Sequence, residues 1–329
     1  MTPLGVLIRD EILRGGPMPF RRFMELALYH PEYGYYRRAR DPFGKEGDFY
    51  TAEQVQPVFG VLVAARIREM FEELGRPGDF TVVELGAGRG EMAQALSEWR
   101  YVPVDVAHGA LPERFTGVVF SNEFFDALPV EAAVRRGGGF REMRAGWNGS
   151  RFVWVECGPV PAEAADYLER NPAPCEEGDL VEAGLDALAW MERIAKALER
   201  GFVFTIDYGY TRRESARFRN GTLMSYRRHA ALEDVLAEPG ERDITAHVCF
   251  TALEEHGKRW GLEPVRFETL ARTLLEVGER GAIATALQPD DGGRRLQLKT
   301  LLFGLGETFR VLIQRKREAC EDCGAGPQN

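Results

Sequence analysis

The sequence predicts an α/β fold built on a doubly wound, mostly parallel sheet. Strand-like and helix-like patterns alternate from residue 80 onward, and a glycine-rich turn follows the first strand-like run. With 329 residues, of which 44% are hydrophobic, the chain can bury a full core. We therefore expect a helical cap at 1–79, a sheet domain with insertions at 80–316 and a flexible tail at 317–329.

The predicted cap consists of helices and one loop. Helical patterns cover Leu4 to Leu13 and Phe20 to Leu28. A loop punctuated by glycine and proline follows from Gly34 to Thr51. Helical periodicity returns from Ala52 to Leu74, and Pro57 lies near its start, where the missing N–H costs no hydrogen bond.

The predicted sheet begins with the buried-strand pattern of Phe80 to Leu85, and a helix is expected from Glu91 to Trp99 after the glycine turn. Further strands are predicted at Tyr101 to Val106, Gly117 to Ser121 and Phe202 to Asp207, with a helix at Leu185 to Arg200. Alternation of this kind is typical of a parallel sheet with helices on both faces.

Two segments depart from the alternation. Phe140 to Met143 and Phe152 to Glu156 flank the turn Gly146 to Gly149, which predicts an inserted β-hairpin. Phe309 to Ile313 suits a last edge strand of the main sheet.

Composition and charge exclude several classes of function. A net charge of −9 argues against a nucleic acid or an anionic membrane as partner. No apolar stretch reaches the roughly 18 to 20 residues of a bilayer span, and no signal-peptide pattern is present, so we expect a cytoplasmic protein. Cys320 and Cys323 form a lone Cys-x-x-Cys without a second ligand pair, which favours two reduced thiols over a metal site.

The glycine turn Gly86-Ala87-Gly88-Arg89-Gly90 predicts a ligand site after the first strand of the sheet. A dinucleotide site would need a different glycine spacing, and Glu91 at the start of the next helix disfavours a pyrophosphate. A cationic ligand without phosphate fits better.

Two acids identify a ligand of that kind. Glu84, just before the glycines, suits an ammonium or a sulfonium, and S-adenosylmethionine carries both. Asp105, at the end of the second strand, lies where an acid accepts hydrogen bonds from ribose hydroxyls. The alternative is that nearby amides satisfy both as ordinary strand-end acids.

The run from Asn122 to Val130 carries the strongest sign of chemistry. Asn122, Glu123 and Asp126 interrupt an apolar stretch where a buried strand ends, and ligands bind at the carboxyl ends of parallel strands. Alternatively, Asn122 and Asp126 cap a helix that starts near Ala127.

Motifs along nearly the whole chain, to about Ile313, resemble the MidA family of S-adenosylmethionine-dependent methyltransferases, whose mitochondrial members assist assembly of respiratory complex I. The resemblance implies a Rossmann-like class I methyltransferase sheet and, at least in the mitochondrial relatives, a protein arginine as substrate. The motifs are Gly34-Tyr35-Tyr36, Gly47-Asp48-Phe49-Tyr50-Thr51, Glu84 to Gly90, Asn122 to Val130, Asp207-Tyr208-Gly209, Gly221-Thr222-Leu223 and Asp243 to Val248.

The resemblance also implies roles for individual residues. Glu84, Gly86, Ala87 and Gly88 would border the cofactor, Asp48 and Thr51 would belong to a lid over it, and Asn122 to Leu128, including Phe124, would face the methyl group.

Methylation of a guanidinium needs groups that hold its planar fork and accept a proton. Glu123 and Asp126 are the candidates, with Asn122 orienting the nitrogen through its amide oxygen. Asp207 either lines the same pocket or forms a turn before Tyr208-Gly209. His247 either accepts a proton there or packs as structure, and the structural role is slightly favoured.

One feature departs from the usual methyltransferase pattern. Only Ala107 to Thr116 separate the second strand from the next, too few residues for another strand with its helices, so we expect a shortened sheet edge. A weak cofactor site follows, or one completed by a partner or by a homodimer mate. A non-catalytic assembly or docking factor is therefore the main alternative, and a nucleotide-dependent oxidoreductase is third.

Overall fold

The computed structural model describes residues 1–37, 56–106, 108–172, 174–227, 230–232, 234–289 and 292–318. Within these ranges the α-helices are α1 Pro3–Gly15, α2 Phe20–Tyr29, α3 Val58–Glu73, α4 Ala162–Arg170, α5 Leu185–Ala197, α6 Phe250–Arg259, α7 Leu270–Glu279, α8 Ala282–Ala286, α9 Gly292–Thr300 and α10 Gly306–Thr308. The first strands are β1 Met18–Pro19, β2 Thr81–Leu85, β3 Arg100–Val104, β4 Phe115–Asn122, β5 Glu131–Arg136, β6 Gly139–Trp147 and β7 Phe152–Pro159. The remaining strands are β8 Leu180–Ala183, β9 Leu198–Tyr210, β10 Met224–Arg227, β11 Ala230–Leu232, β12 Asp243–Thr245, β13 Val248–Cys249, β14 Leu262–Thr269 and β15 Phe309–Lys316.

The central sheet has the order β14-β15-β9-β4-β2-β3, with the short β13 also paired to β9. Strands β3, β2, β4 and β9 run parallel, and β15 lies antiparallel between β9 and β14. Leu85 of β2 stands opposite Val104 of β3 and Ser121 of β4. The carboxyl ends of these strands therefore meet at one edge of the sheet, where the predicted site residues follow them.

Both faces of this sheet are covered, as the buried-strand patterns predict. Val82, Phe120 and Phe204 pack on one face against α3 and α7. Residues at alternating positions of the same strands, such as Val83, pack on the other face in the core that includes α5 and α6. The predicted doubly wound sheet is thus confirmed.

The predicted hairpin forms as β6 and β7, which pair antiparallel, but it belongs to a larger antiparallel sheet, the inserted sheet. Its order is β1-β6-β5-β8, with β7 also paired to β6. The predicted hairpin turn was placed too early, because β6 continues through Trp147. Asn148 then makes the turn, and its side-chain oxygen accepts hydrogen bonds from the backbone N–H groups of Ser150 and Arg151 at 3.0 Å.

The N-terminal segment, predicted as one cap, contributes to two cores. Helices α1 and α2 pack with residues of the inserted sheet, such as Ala132 and Ala145, and with Ile244. Helix α3 packs instead on the central sheet with Val82 and Phe120.

The helix predicted from Glu91 to Trp99 is wrong. This segment is a series of turns, in which the Leu96 amide reaches the carbonyl four residues back at 2.9 Å but the amides of Ala93 and Trp99 reach carbonyls only three residues back. Trp99 leaves the last turn to pack against Phe80, 5.8 Å away between ring centroids, and β3 begins at the next residue.

The prediction that Phe309–Ile313 forms an edge strand is also wrong. Strand β15 pairs on both sides, and β14 is the edge. Strand β14 contains Pro264, which argues against a strand in the sequence, and the pairing register shifts between Pro264 and Arg266.

The opposite edge is short, as predicted. No described residue forms a strand on the outer side of β3. Pro103 lies within β3, and proline within a sheet is confined to edge strands. The connection to β4 passes directly beside this edge, because a Cβ on Gly109 would lie 2.0 Å from the Pro103 carbonyl oxygen.

None of the described helices combines the length and the apolar character that crossing a bilayer requires.

Candidate active site

The glycine turn after β2 is shaped by three left-handed residues. Gly86, Gly88 and Gly90 have φ values of 71°, 50° and 78°, a region that residues with a Cβ rarely adopt. The turn is held to the neighbouring strand, because the Gly86 N–H donates to the Val104 carbonyl at 2.9 Å. A Cβ on Gly86 would lie 3.2 Å from the Phe124 ring. The glycine turn therefore packs against the acidic segment, residues 122–128, at the end of β4.

Asp105 lies at the end of β3 and is partly exposed. One carboxylate oxygen accepts from the Gly88 N–H at 2.9 Å and the other from the Val106 N–H at 2.6 Å. The carboxylate therefore fixes the glycine turn, and each oxygen keeps a second lone pair for a ligand hydroxyl.

Glu84 is a buried carboxylate in β2, 6% exposed. It accepts a hydrogen bond from the Tyr101 hydroxyl of β3. Burial and the negative charge of Glu84 together raise the pKa of Tyr101, so the tyrosine stays a neutral donor. This hydrogen bond holds the carboxyl group of Glu84 close to the start of the glycine turn.

The acidic segment after β4 turns sharply. Glu123 has a φ of 51°, an uncommon backbone conformation for a residue with a side chain, and its N–H donates to the Ile206 carbonyl at 3.0 Å. No helix starts near Ala127 in the structure, since residues 125–128 form only a turn and a bend. The helix-capping alternative for Asn122 and Asp126 is therefore wrong.

Asp207 holds this turn from the neighbouring strand β9. It is fully buried, and its carboxylate accepts from the backbone N–H groups of Phe125 at 3.0 Å, Asp126 at 3.4 Å and Tyr208 at 2.9 Å. A carboxylate so engaged does not present a surface to a substrate. The geometry gives Asp207 a positioning role in place of the predicted contact with substrate.

Asp126 is the least satisfied carboxylate of the site. It is 3% exposed, and its Oδ1 has no hydrogen-bond partner among the described residues. Burial raises its pKa to about 6, against a weaker opposing effect of the neighbouring Tyr208 hydroxyl. At neutral pH the carboxylate is thus mostly charged but is a much better proton acceptor than an ordinary aspartate.

Asn122 presents a second such atom. Its Nδ2 donates to Glu123 Oε1 at 3.1 Å, and its Oδ1 is buried without a partner in the described ranges. An acceptor left unpaired inside a protein is costly unless a ligand completes it. Asn122 Oδ1 and Asp126 Oδ1 are therefore two acceptors available to a donor-rich ligand.

Phe124 and His247 occupy defined positions nearby. Phe124 packs on Gly86 and meets Trp190 edge to face at 5.2 Å. His247 lies between the rings of Tyr208 and Phe218, 5.2 and 5.1 Å away, and burial lowers its pKa. The two ring contacts fix the imidazole, and a lowered pKa makes it a weaker base, so the structural role is favoured over general-base catalysis.

Several aromatic residues were missed from the sequence as members of this site. Tyr29 donates from its hydroxyl to the Ala127 carbonyl at 2.7 Å and stacks on Tyr36, with ring centroids 5.7 Å apart. Burial and the charges of Asp243 and Asp126 raise the pKa of both tyrosines, so both hydroxyl groups stay neutral. Tyr36 and Asp243 belong to sequence motifs noted above, which could have identified them.

Some predicted residues cannot be described. Asp48 and Thr51 of the predicted lid, and Cys320 and Cys323 of the tail, lie outside the described residues.

Within the described ranges, no group of histidine, cysteine and acidic side chains is arranged to hold a metal ion.

Charge is the dominant property of the arrangement. The pKa of Asp207 is raised well above its usual range by burial and by the charges of Asp126 and Glu123. Glu123, Asp126 and Asp207 thus bring three carboxyl groups together at the end of β4, beside the glycine turn, a setting that favours a cation.

Comparisons with known proteins agree with this chemistry. A family model described as "Putative S-adenosyl-L-methionine-dependent methyltransferase" matches residues 96–268. The chain is 28% identical to the mitochondrial protein arginine methyltransferase NDUFAF7 homolog of Drosophila melanogaster, over 74% of this chain and 67% of that protein. It is 27% identical to human mitochondrial NDUFAF7, also named a protein arginine methyltransferase, over 94% of this chain and 82% of the relative.

A solved structure matches over almost the full length. The Burkholderia thailandensis protein crystallised with S-adenosyl-homocysteine is 30% identical, with a TM-score of 0.85 over 95% of this chain and 92% of that one. The family model covers slightly more than half of the present sequence. This chain therefore belongs to the MidA-like family of S-adenosylmethionine-dependent methyltransferases.

Proposed function

We propose that this methyltransferase modifies a guanidino nitrogen of an arginine in a partner protein. The observation that carries the proposal is the set of acidic groups at the end of β4, in which Asp126 Oδ1 and Asn122 Oδ1 are buried and lack partners among the described residues. A guanidinium is cationic and planar and has five N–H donors, so it can complete both acceptors and offset the charge.

The residues around the glycine turn fit S-adenosylmethionine as the methyl donor. The left-handed glycines let a ligand approach the backbone closely, and Asp105 has lone pairs left for hydroxyl groups. Glu84 offers negative charge to an ammonium group. When bound, S-adenosylmethionine supplies a methyl group activated by a positively charged sulfur.

The acidic segment would orient the nucleophile. Glu123, in its left-handed conformation, and Asn122, through its amide oxygen, would hold two N–H groups of the guanidinium fork. Holding the fork directs one nitrogen and localises the positive charge on the others. Phe124, between the two segments, would exclude water from the line of attack.

Asp126 would accept the proton that the attacking nitrogen must lose. The product guanidinium keeps one positive charge while the sulfur loses its own, so one proton leaves per methyl group transferred. A carboxylate with a pKa near 6 takes this proton more readily than an exposed aspartate and returns it to solvent at neutral pH.

The relatives support an arginine and a protein substrate. Both the Drosophila and the human proteins are named protein arginine methyltransferases. At identities of 27–28% the cofactor carries over more safely than the substrate, so the acceptor needs a direct test.

The test is incorporation of labelled methyl groups from S-adenosylmethionine into a protein extract of cells that lack this chain, followed by acid hydrolysis and detection of methylarginine. We expect methylarginine with the wild type and a loss on the order of 10²-fold or more with Glu123→Gln, with S-adenosylhomocysteine binding retained. Label in lysine or in small molecules would refute the arginine substrate. Label nowhere, together with full cellular function of Glu123→Gln, would favour the docking alternative.

A further inference from the structure

Glu182 is a buried carboxylate on β8, in the inserted sheet, 8% exposed. Both of its carboxylate oxygens accept hydrogen bonds from the same residue, Thr222. The Thr222 N–H donates to Oε1 at 2.9 Å, and the Thr222 hydroxyl donates to Oε2 at 3.0 Å. Charge-assisted bonds to both oxygens fix the position and the rotamer of both side chains.

The Thr222 hydroxyl is oriented by this contact. Its single proton goes to Glu182, so its lone pairs face away from the carboxylate, and one of them accepts the His247 N–H at 3.0 Å. The preceding residue completes the connection, because the Ala246 N–H donates to the Asp126 carbonyl at 2.9 Å. Glu182 is thereby linked to the backbone of Asp126 through Thr222 and the 246–247 segment.

Gly221 makes the close approach possible. Its φ is 74°, and a Cβ at this position would lie 2.2 Å from Glu182 Oε1. The link therefore accounts for Gly221-Thr222-Leu223 and for Ala246-His247, two sequence motifs to which the proposed chemistry gives no role.

The backbone of Asp126 sets where its carboxylate lies. The Oδ1 atom has no hydrogen-bond partner in the described residues, so no side-chain contact fixes that atom and the backbone must orient it. Asp207 holds the N–H of Asp126, and Ala246 holds its carbonyl. We propose that Glu182 and Thr222 are positioning residues for methyl transfer, which hold the Asp126 backbone at the end of β4 from the inserted sheet. The inference rests on the proposed function of Asp126.

Thr222→Val and Thr222→Ser test the link, since valine keeps the shape without the hydroxyl and serine keeps the hydroxyl. Glu182→Gln has a matched control in Glu142→Gln. Glu142 is another buried glutamate of the inserted sheet, 4% exposed, and it pairs with Arg144 at 2.6 Å instead of with the site. Both glutamine variants lose a buried charge, so a general loss of stability affects both.

Two readouts are needed. Hydrogen exchange, followed by mass spectrometry on peptides covering 122–128 and 243–249, reports the link without any substrate. The initial rate of methylarginine formation in the extract described above, at saturating S-adenosylmethionine, reports its effect on turnover, and S-adenosylhomocysteine affinity serves as a check of the cofactor site.

For Thr222→Val and Glu182→Gln we expect at least tenfold faster exchange in both peptides and a 10- to 100-fold lower rate, with unchanged S-adenosylhomocysteine affinity. Thr222→Ser should behave like the wild type, and Glu142→Gln should keep the wild-type rate and show no exchange increase specific to these two peptides. Equal effects of the two glutamine variants, or a normal rate in a folded Thr222→Val, would overturn the inference. If the wild type forms no methylarginine, the exchange result still decides whether the link exists, so the two failures can be told apart.

Discussion

Asp126 combines burial, negative charge and a missing hydrogen-bond partner, and this combination costs stability. Its pKa in the folded state is about 6, against an ordinary value of 3.8, so the folded protein binds the proton more tightly than the unfolded chain. The stabilisation that the folded protein gains from this tighter proton binding is complete below pH 3.8 and is lost as the pH rises through 6. A shift of this size corresponds to about 3 kcal/mol as an upper estimate.

We therefore predict that Asp126→Asn raises the stability of the protein at pH 7.5 by about 1–2 kcal/mol while abolishing turnover. The charge that an ionised carboxylate must carry inside the protein disappears, and the shape is kept. Urea unfolding measures the change. Asp207→Asn is the comparison. Burial raises the pKa of Asp207 as well, but its carboxylate accepts three backbone N–H groups and an amide has only one acceptor oxygen, so we expect this variant to destabilise. Loss of stability in both variants would contradict this account.

The raised pKa of Asp126 also leads us to expect that kcat/KM depends on pH. Only the ionised form accepts a proton, so log(kcat/KM) should rise with a slope of one below pH 6 and level off above it. The rate should be measured from pH 5 to 8.5 at constant ionic strength. Asp126→Glu should retain a rising limb at a shifted midpoint, whereas a wild-type profile that is flat from pH 5 to 7 would remove Asp126 from the proton transfer.

At the scale of secondary-structure elements, the connection from β3 to β4 packs closely on the edge strand β3 at Gly109. Gly109 has a φ of 78°, and it packs onto the Pro103 carbonyl, which a Cβ would approach to 2.0 Å. We predict that Gly109→Ala destabilises the fold by about 2–4 kcal/mol, from backbone strain plus displacement of the edge strand β3.

Gly138 provides the comparison. Its φ is 86°, and nothing lies within 4 Å of the added Cβ, so Gly138→Ala should cost only the strain of about 1 kcal/mol. Thermal unfolding of the two variants separates the effects. Equal losses would mean that the connection does not pack tightly on β3, and the account of the shortened edge would then be wrong.

The elements that the sequence predicts well are those with local causes. Strand β2 and the glycine turn follow from a continuous apolar run and from backbone geometry that requires glycine. The segment after the turn is helix-forming by composition but becomes a series of turns, since Trp99 must reach Phe80. The positioning role of Asp207 could not be predicted from the sequence. The N–H groups that donate to it belong to Phe125 and Asp126, which are close to Asp207 only in the folded protein.

At the scale of the whole molecule, hydrogen bonds connect the region of the inserted sheet to the acidic segment at the end of β4. Helices α1 and α2 pack on the inserted sheet, and Tyr29 of α2 reaches the Ala127 carbonyl in the acidic segment. The hydrogen bonds that start at Glu182 reach the same segment through Thr222 and Ala246. The domain boundaries and the cytoplasmic location drawn from the sequence stay predictions.

The shortened sheet edge raises the question of whether a second copy completes the cofactor site. An added strand would need free backbone groups along β3, but Pro103 has no N–H to offer. The connection from β3 to β4 also lies against the Pro103 carbonyl at Gly109. The edge is therefore closed against strand pairing, which argues for a site that one chain completes by itself.

We accordingly predict that S-adenosylhomocysteine binds with the same affinity at every protein concentration, including concentrations at which sedimentation shows only monomer. Calorimetric titration at several protein concentrations measures the affinity, and Gly86→Val is the control that should abolish binding, because its side chain would displace Phe124. Affinity that rises with protein concentration in parallel with dimer formation would show instead that a partner copy contributes to the site. The position of Pro103 makes this second outcome unfavourable, since a partner would have to cover the adenosine without pairing to β3.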